Sequence, residues 1–341
     1  MTGSEKKKIV VLTCGRSMGN CEILSREACI GAEEVGAKTE ILRLQDFKVK
    51  PCTGCEGCTM SMSKGGKARC VVKDDDTEFL LEKILYEDCA LIISAPVYFL
   101  GAPGYLKMLN DRLLPFILNR PELFLSKSTR VGASISVGGG EPAWTPLGLS
   151  MINTFLRYTR VIVDQQLVNF SSLPGLVTLK EKALRRARKL GHNVAIAANT
   201  PIDKVKFVGE EIENSCPSCH VNILQIGNNL PGGVPPGTDF FHPNLINDVM
   251  RKSPPDASYV VCPNCDIWGT IEIKNGKIKV LWDDERAKDS RFDIEFGKHF
   301  ELIKRIHLEA YKQDEKIKEN KAKYRSFGTL VKPPRKRAAE K

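Results

Sequence analysis

The sequence predicts a doubly wound α/β sheet followed by a smaller, cysteine-bearing domain. Three observations carry this. Strand-like segments recur at residues 8–13, 38–44, 90–95, 130–137 and 159–168, those at 8–13 and 90–95 as short, nearly continuous apolar runs. Stretches with helical spacing of apolar positions lie between them. Beyond residue 205 the alternation stops, and two Cys-Pro-X-Cys elements bracket a Gly/Pro-rich stretch.

The elements follow in order. Residues 8–13 are nearly continuous in apolar side chains, as in a parallel strand buried on both faces. Residues 20–36 carry a stripe of Ile23, Leu24, Ala28 and Ala32 and read as a helix. Residues 38–44 form a second strand, and a cysteine-rich loop comes next. Acidic residues open a helix at 76–86. Residues 90–95 form the third strand, and Pro96 is expected to take the chain out of the sheet. Residues 103–114 read as one helix. The fourth strand, 130–137, ends in Gly138-Gly139-Gly140. A helix at 151–158, a strand within 159–168 and a long helix at 180–198 close the unit. Five strands joined by right-handed crossovers place the loops after strands one, three and four along one edge.

The expected domains are 1–205, 206–290 and 291–341. In the second, residues 269–281 read as a hairpin about Asn275-Gly276. In the third, a helix over about 296–321 leads into a basic tail containing Lys332 to Arg337. The 341 residues are 42% hydrophobic and 27% charged, with no apolar run of eighteen, so no membrane span is expected. The N-terminal residues lack the apolar core and cleavage site of a secretory signal. A cytoplasmic location is expected, and twelve cysteines there argue for metal or redox chemistry over disulfides. Much of the net charge of +10 lies in residues 312–341. That stretch reads first as a solvated helix and tail, with docking of an acidic partner such as a ferredoxin, or of nucleic acid, as the alternatives; of these nucleic acid is the less expected. No Ser–His–Asp or paired-carboxylate hydrolase arrangement is present.

Candidate binding residues collect at the ends of the strands. Arg16, Ser17, Met18, Gly19 and Asn20 form a small-residue loop ahead of a helix N-terminus, which suits an anion. Pro96, Val97, Tyr98, Phe99 and Gly101 follow the third strand, where an aromatic pair and free backbone groups can border a flat ring. Gly138, Gly139 and Gly140 allow close backbone approach. Trp144 reads either as a cover for the ligand or as core.

These motifs together, with Lys107-Met108-Leu109-Asn110-Asp111-Arg112, resemble the NADPH-dependent FMN reductase branch of the flavodoxin-like superfamily over about residues 8–198. The segment Pro51-Cys52-Thr53-Gly54-Cys55-Glu56-Gly57-Cys58, with Cys70 downstream, narrows the resemblance to iron–sulfur flavoproteins. The resemblance implies FMN, with Arg16, Ser17, Gly19 and Asn20 on its phosphate, Pro96 to Phe99 and Gly101 beside the isoalloxazine and ribityl, and Gly138 to Gly140 along the far ring edge. It implies a homodimer or homotetramer. Cys14 and Cys21 stand where the family has Ser and Thr, and thiols donate hydrogen bonds poorly.

The resemblance also implies a [4Fe–4S] cluster on Cys52, Cys55, Cys58 and Cys70. The gap of eleven residues before Cys70 is longer than the family pattern, although loop closure rises only slowly with length. Zinc, or thiols without metal, are the alternatives. Cys216, Cys219, Cys262 and Cys265 resemble a zinc ribbon with forty-two residues between the pairs. Zinc is the expected ion, with rubredoxin-like iron or unmetallated thiols as the alternatives; His220 and His242 could ligate, but four cysteines suffice and both read first as surface or capping residues. Cys29 and Cys89 read as buried apolar residues. The expected function is an FMN-dependent oxidoreductase coupling a cluster to flavin. Its donor would be ferredoxin-like or NAD(P)H, and its acceptor a quinone, oxygen species or unsaturated organic molecule. The alternatives are a cluster-free NAD(P)H-dependent FMN or quinone reductase, or a redox-sensing module.

Overall fold

The computed structural model describes residues 7–121, 130–227, 259–265, 267–283 and 296–324. Strands β1 (Lys8–Thr13), β2 (Lys38–Arg43), β3 (Cys89–Pro96), β4 (Val131–Val137) and β5 (Val161–Val168) form one parallel sheet in the order β2-β1-β3-β4-β5. The three central strands are buried almost end to end, which is why they are made of apolar and small residues, including buried Ser94, Ser134 and Ser136. Burying each Leu or Ile of these strands stabilises the fold by roughly 1.5–3 kcal/mol.

Helices cover both faces. On one lie α1 (Asn20–Glu33) and α7 (Glu181–Ala198). They meet backbone to backbone: a Cβ on Gly31 would stand 1.9 Å from the Arg188 carbonyl oxygen, and one on Gly191 would stand 1.8 Å from that of Ala28. No side chain fits at either crossing point. On the other face lie α3 (Thr77–Leu85), α4 (Gly104–Asn110), α5 (Leu114–Asn119) and α6 (Gly148–Arg157).

Four local expectations are corrected. Residues 103–114 are not one helix, because Pro115 has no N–H to continue α4 and instead starts α5. Pro96 is the last residue of β3, paired in register with Val137, because the strand ends where its missing N–H costs nothing. The cysteine-rich segment is not all loop, since α2 (Gly57–Ser63) carries Cys58. The C-terminal helix divides into α8 (Phe296–Lys312) and α9 (Asp314–Tyr324).

The C-terminal part adds an antiparallel sheet of β6 (Gln225–Gly227), β7 (Tyr259–Val261), β8 (Trp268–Lys274) and β9 (Lys277–Trp282), in that order. Asn275 and Gly276, both at positive φ, make the β8–β9 turn. The sheet's cysteines join the core on the α6 face. Asn153 Nδ2 donates to the Cys219 carbonyl at 2.8 Å, and Gln165 Nε2 donates to that of His220 at 2.7 Å. Helix α8 lies against the cysteine segment, with His307 Nε2 3.8 Å from Glu56 and Lys64 over the Tyr311 ring. Phe240, Phe241, His242 and the basic tail lie outside the described residues. No described helix is long and apolar enough to cross a membrane.

Candidate functional site

The C-terminal ends of the strands enclose a cavity of about 260 Å³. Arg16, Gly19, Asn20, Pro96, Val97, Tyr98 and Gly139 line it, as the sequence suggests. One end suits an anion. Helix α1 starts at Gly19 with no side-chain cap, so its first N–H groups face the cavity mouth with the positive end of the dipole. Arg16 is exposed and has no carboxylate partner among the described residues. Pro96, Val97, Tyr98, Val137 and Gly139 line the remainder from β3, β4 and the loops that follow them.

The loop geometry is fixed by a carboxylate that sequence reading passed over. Glu22, in the first turn of α1, is fully buried. It accepts hydrogen bonds from Met18 N at 3.1 Å, Arg43 Nε at 2.8 Å and Arg26 Nη2 at 2.6 Å. The Arg43 hydrogen bond, aided by Arg26 and the Met18 N–H, holds its carboxyl at about 2 against the cost of burial. Met18 itself sits at positive φ and points to solvent.

Several expected contacts fall elsewhere. The Asn20 amide is not free for a phosphate. Its Nδ2 donates to the Ser171 and Leu173 carbonyls at 2.8 and 2.9 Å, and its Oδ1 accepts from Val177 N at 3.1 Å. Asn20 thereby latches the loop after β5 over the cavity, and Ser171, Ser172 and Pro174 of that loop line it. Sequence reading missed this wall, although Ser171-Ser172 was a small polar pair at a strand end. Ser17 and Met18 do not line the cavity. Phe99 does not either: Tyr98 and Gly101 close a tight turn, with Phe99 and Leu100 at positive φ, and Phe99 stands fully exposed at its tip. Two such non-glycine residues store strain of about 1–2 kcal/mol each, of the kind that gathers at functional loops. Gly101 packs against Met151, and Gly138 against Thr145, whose Cγ2 would lie 2.1 Å from an added Cβ. Gly140 packs beside Trp144, which is 61% exposed and so is not core.

Cys14 and Cys21 are buried beneath the loop. Burial pushes the Cys14 thiol well up and the Cys21 thiol up to about 12, so both stay protonated at neutral pH. Cys29 and Cys89 are buried as expected.

A second cavity is lined by Cys52, Cys55, Cys58 and Cys70 together. The long gap to Cys70 is folded back. Its first part is α2, then Gly66 N donates to the Ser61 carbonyl at 2.9 Å. Asn119 of α5 grips Ala68 twice, accepting from its N–H at 2.9 Å and donating to its carbonyl at 2.8 Å. Helix α4, about 10 Å long at 1.5 Å per residue, starts beyond the Tyr98 turn and ends just before Asp111, which lines this second cavity.

The remaining quartet is tighter. Cys216, Cys219, Cys262 and Cys265 are buried, with their sulfurs all within 4.8 Å of one another. The two knuckles share one geometry: Cys216 N donates to the Val221 carbonyl and Cys262 N to that of Ile267, each at 2.9 Å. Hydrogen bonds from Cys216, Cys219 and Cys265 hold the Cys262 thiol far below its ordinary range. Burial among these neighbours pushes Cys265 well up. Four buried sulfurs can all ionise only around a cation, so the donor set fits a tetrahedral metal ion. His220 is not needed as a ligand. It stacks on Phe207 at 3.7 Å, and burial lowers its pKa to about 4.

Comparison with known proteins agrees with this architecture. Residues 7–169 match the family described as NADPH-dependent FMN reductase. An iron–sulfur flavoprotein of Methanocaldococcus jannaschii is 30% identical over 188 residues, covering 53% of this chain and 91% of that protein. One from Archaeoglobus fulgidus is 30% identical over 193 residues, 56% of this chain and 80% of the relative. A flavone synthase of Aspergillus candidus is 26% identical over 322 residues, 88% of this chain and 86% of that protein. A solved flavone reductase shares the fold over 96% of this chain and 99% of its own, with a TM-score of 0.66 at 20% identity. The chain therefore belongs to the NADPH-dependent FMN reductase family, within its iron–sulfur flavoprotein group, and is an FMN-dependent oxidoreductase.

Proposed function

We propose that the chain holds FMN in the cavity at the strand ends, a [4Fe–4S] cluster on Cys52, Cys55, Cys58 and Cys70, and zinc on Cys216, Cys219, Cys262 and Cys265. It reduces a flat, conjugated organic acceptor with electrons from a ferredoxin-like protein or NAD(P)H. The observation that carries this reading is the convergence of Cys52, Cys55, Cys58 and Cys70 on one cavity in a family that binds flavin. The tight C-terminal quartet suits a single ion. The cysteine cavity, with sulfurs outside that tight spacing, suits a larger cubane.

FMN, when bound, supplies a junction between one- and two-electron chemistry. The protein's part is holding and orienting. Arg16 and the α1 N-terminus neutralise the phosphate. The Pro96–Tyr98 backbone and Gly139 border the ring. Cys21, protonated at neutral pH, offers no competing thiolate. Tyr98, Phe99, Trp144 and Phe170 stand half or more exposed on the surrounding loops. They give a flat aromatic acceptor surfaces to stack on, or a second copy of the chain a surface to cover. A conjugated carbonyl compound of flavonoid size is the favoured acceptor, because the Aspergillus flavone synthase matches along the C-terminal region as well as the flavin domain.

The test is anaerobic purification followed by flavin, iron, sulfide and zinc analysis, with EPR after reduction. Turnover of a flavone and of a quinone is then compared with each donor. About four irons and one zinc per chain are expected. A flavin spectrum without stoichiometric iron would leave a cluster-free NAD(P)H reductase instead. Light scattering tests the expected homodimer or homotetramer.

A further inference from the structure

The geometry points to Arg112 as a positioning residue for the Cys52–Cys70 centre, one that clamps both ends of the cysteine segment and supplies the cation facing the cluster. This rests on reading those cysteines as cluster ligands. Arg112 is 4% exposed and Asp75 is 3% exposed. Arg112 Nη1 donates to Asp75 Oδ2 at 2.7 Å and to the Lys50 carbonyl at 3.0 Å. Its Nη2 donates to the Val72 carbonyl at 3.2 Å and lies 3.5 Å from Asp75 Oδ1.

Lys50 precedes Cys52 by two residues, and Val72 follows Cys70 by two. One guanidinium therefore ties together the entry and exit of the segment. Asp75 completes the knot by accepting from Lys50 N at 2.9 Å and Thr77 Oγ1 at 2.8 Å. Only a planar fork can serve these acceptors at once, so lysine is no substitute for it.

The second observation is the remaining donor. Arg112 Nε is buried and has no partner, and the residue lines the cysteine cavity. A buried donor left unpaired is costly, and cluster sulfur or a ligating thiolate is the acceptor this site lacks. Among the described lining residues Arg112 is the one cation, beside Glu56 and Asp111. A cluster on four thiolates is anionic and gains further negative charge on reduction. The guanidinium therefore favours the reduced form, and the Asp75 carboxylate behind it offsets that effect.

The test compares wild type, Arg112→Gln, Arg112→Lys and Asp75→Asn. Each is reconstituted anaerobically with iron and sulfide. Iron per chain, flavin per chain and the midpoint potential from an EPR-monitored titration are measured. Arg112→Gln is expected to retain severalfold less iron and to shift the potential of what remains negative. Arg112→Lys keeps the charge but loses the fork, so iron falls while the potential stays near wild type. Asp75→Asn shifts the potential positive. A purely structural role would lower iron in all three without shifts of opposite sign, and that result overturns the proposal. So does wild-type iron with a wild-type potential in Arg112→Gln. If that variant fails to fold, an unshifted or negative potential in Asp75→Asn overturns it equally. A wild-type chain that takes up no iron removes the cluster reading itself, and is told apart by failing before any variant is compared.

Discussion

Replacing Glu22 with Gln removes the charge that organises the loop ahead of α1 while nearly keeping its shape. Glu22 is fully buried, whereas its partners Arg43 and Arg26 are 24% and 51% exposed. Its carboxyl is held at about 2, against 4.5 for an unperturbed glutamate. A depressed carboxyl stabilises the fold fully above the unfolded value and loses that contribution as pH falls through the folded one. A difference of about 2.5 in pKa at about 1.4 kcal/mol each gives a contribution of about 3.5 kcal/mol at pH 7. Solvation of the arginines in the variant recovers part of this, so a loss of about 2 kcal/mol is expected. Urea unfolding of wild type and Glu22→Gln should differ by that amount at pH 7. The gap should close between pH 4.5 and 2. The variant also weakens the acceptor of the Met18 N–H, a charge-assisted bond of about 1.5 kcal/mol, so FMN affinity should fall about tenfold. A stability gap that does not change with pH would refute the electrostatic account. Unchanged FMN affinity would refute the link to the loop.

Other expectations follow from single contacts. Asn20→Ala removes the three hydrogen bonds that latch the loop after β5. At about 1 kcal/mol each, FMN affinity should fall by one to two orders of magnitude in a fluorescence titration, and limited proteolysis should cut within residues 169–177. Asn119→Ala releases Ala68 and with it Cys70. Iron per chain should drop while flavin per chain is kept, measured on one reconstituted sample. Cys219→Ser opens the buried quartet, so zinc should be lost to a colorimetric chelator and the melting temperature should fall by several degrees. Retention of stoichiometric zinc would mean that this cysteine is not a ligand.

Much of the fold was legible because β1, β3 and β4 are buried on both faces, where apolar and small residues predominate. The cavity loops were legible where backbone geometry dictates composition, as at Gly19 and Gly139. What escaped depends on partners brought close by topology. Nothing near Asn20 in sequence announces that its amide will be used on carbonyls of Ser171 and Leu173. Glu22 reads as an ordinary first-turn acid until Arg43 arrives from the neighbouring strand. The join at 110–115 escaped because apolar periodicity runs through it, although Pro115 marks the break.

The two cysteine quartets make the same point about chemistry. Both begin with the Cys-X-X-Cys spacing, and both are thiolate sets, so residue type alone leaves zinc and iron open at each. Their surroundings differ. The C-terminal set is fully buried, with sulfurs within 4.8 Å of one another and the same backbone hydrogen bond closing each knuckle. That is room for one ion and a rigid clamp on α6. The Cys52–Cys70 set is partly exposed, lines a cavity, and is held at its ends by Arg112 and Asn119 rather than by mutual sulfur contact. A centre that exchanges electrons needs such an opening to solvent or a partner, together with a charge nearby to set its potential. A structural ion needs neither. On the proposed assignment, the division of labour between the quartets follows burial and charge, which spacing in the chain does not encode.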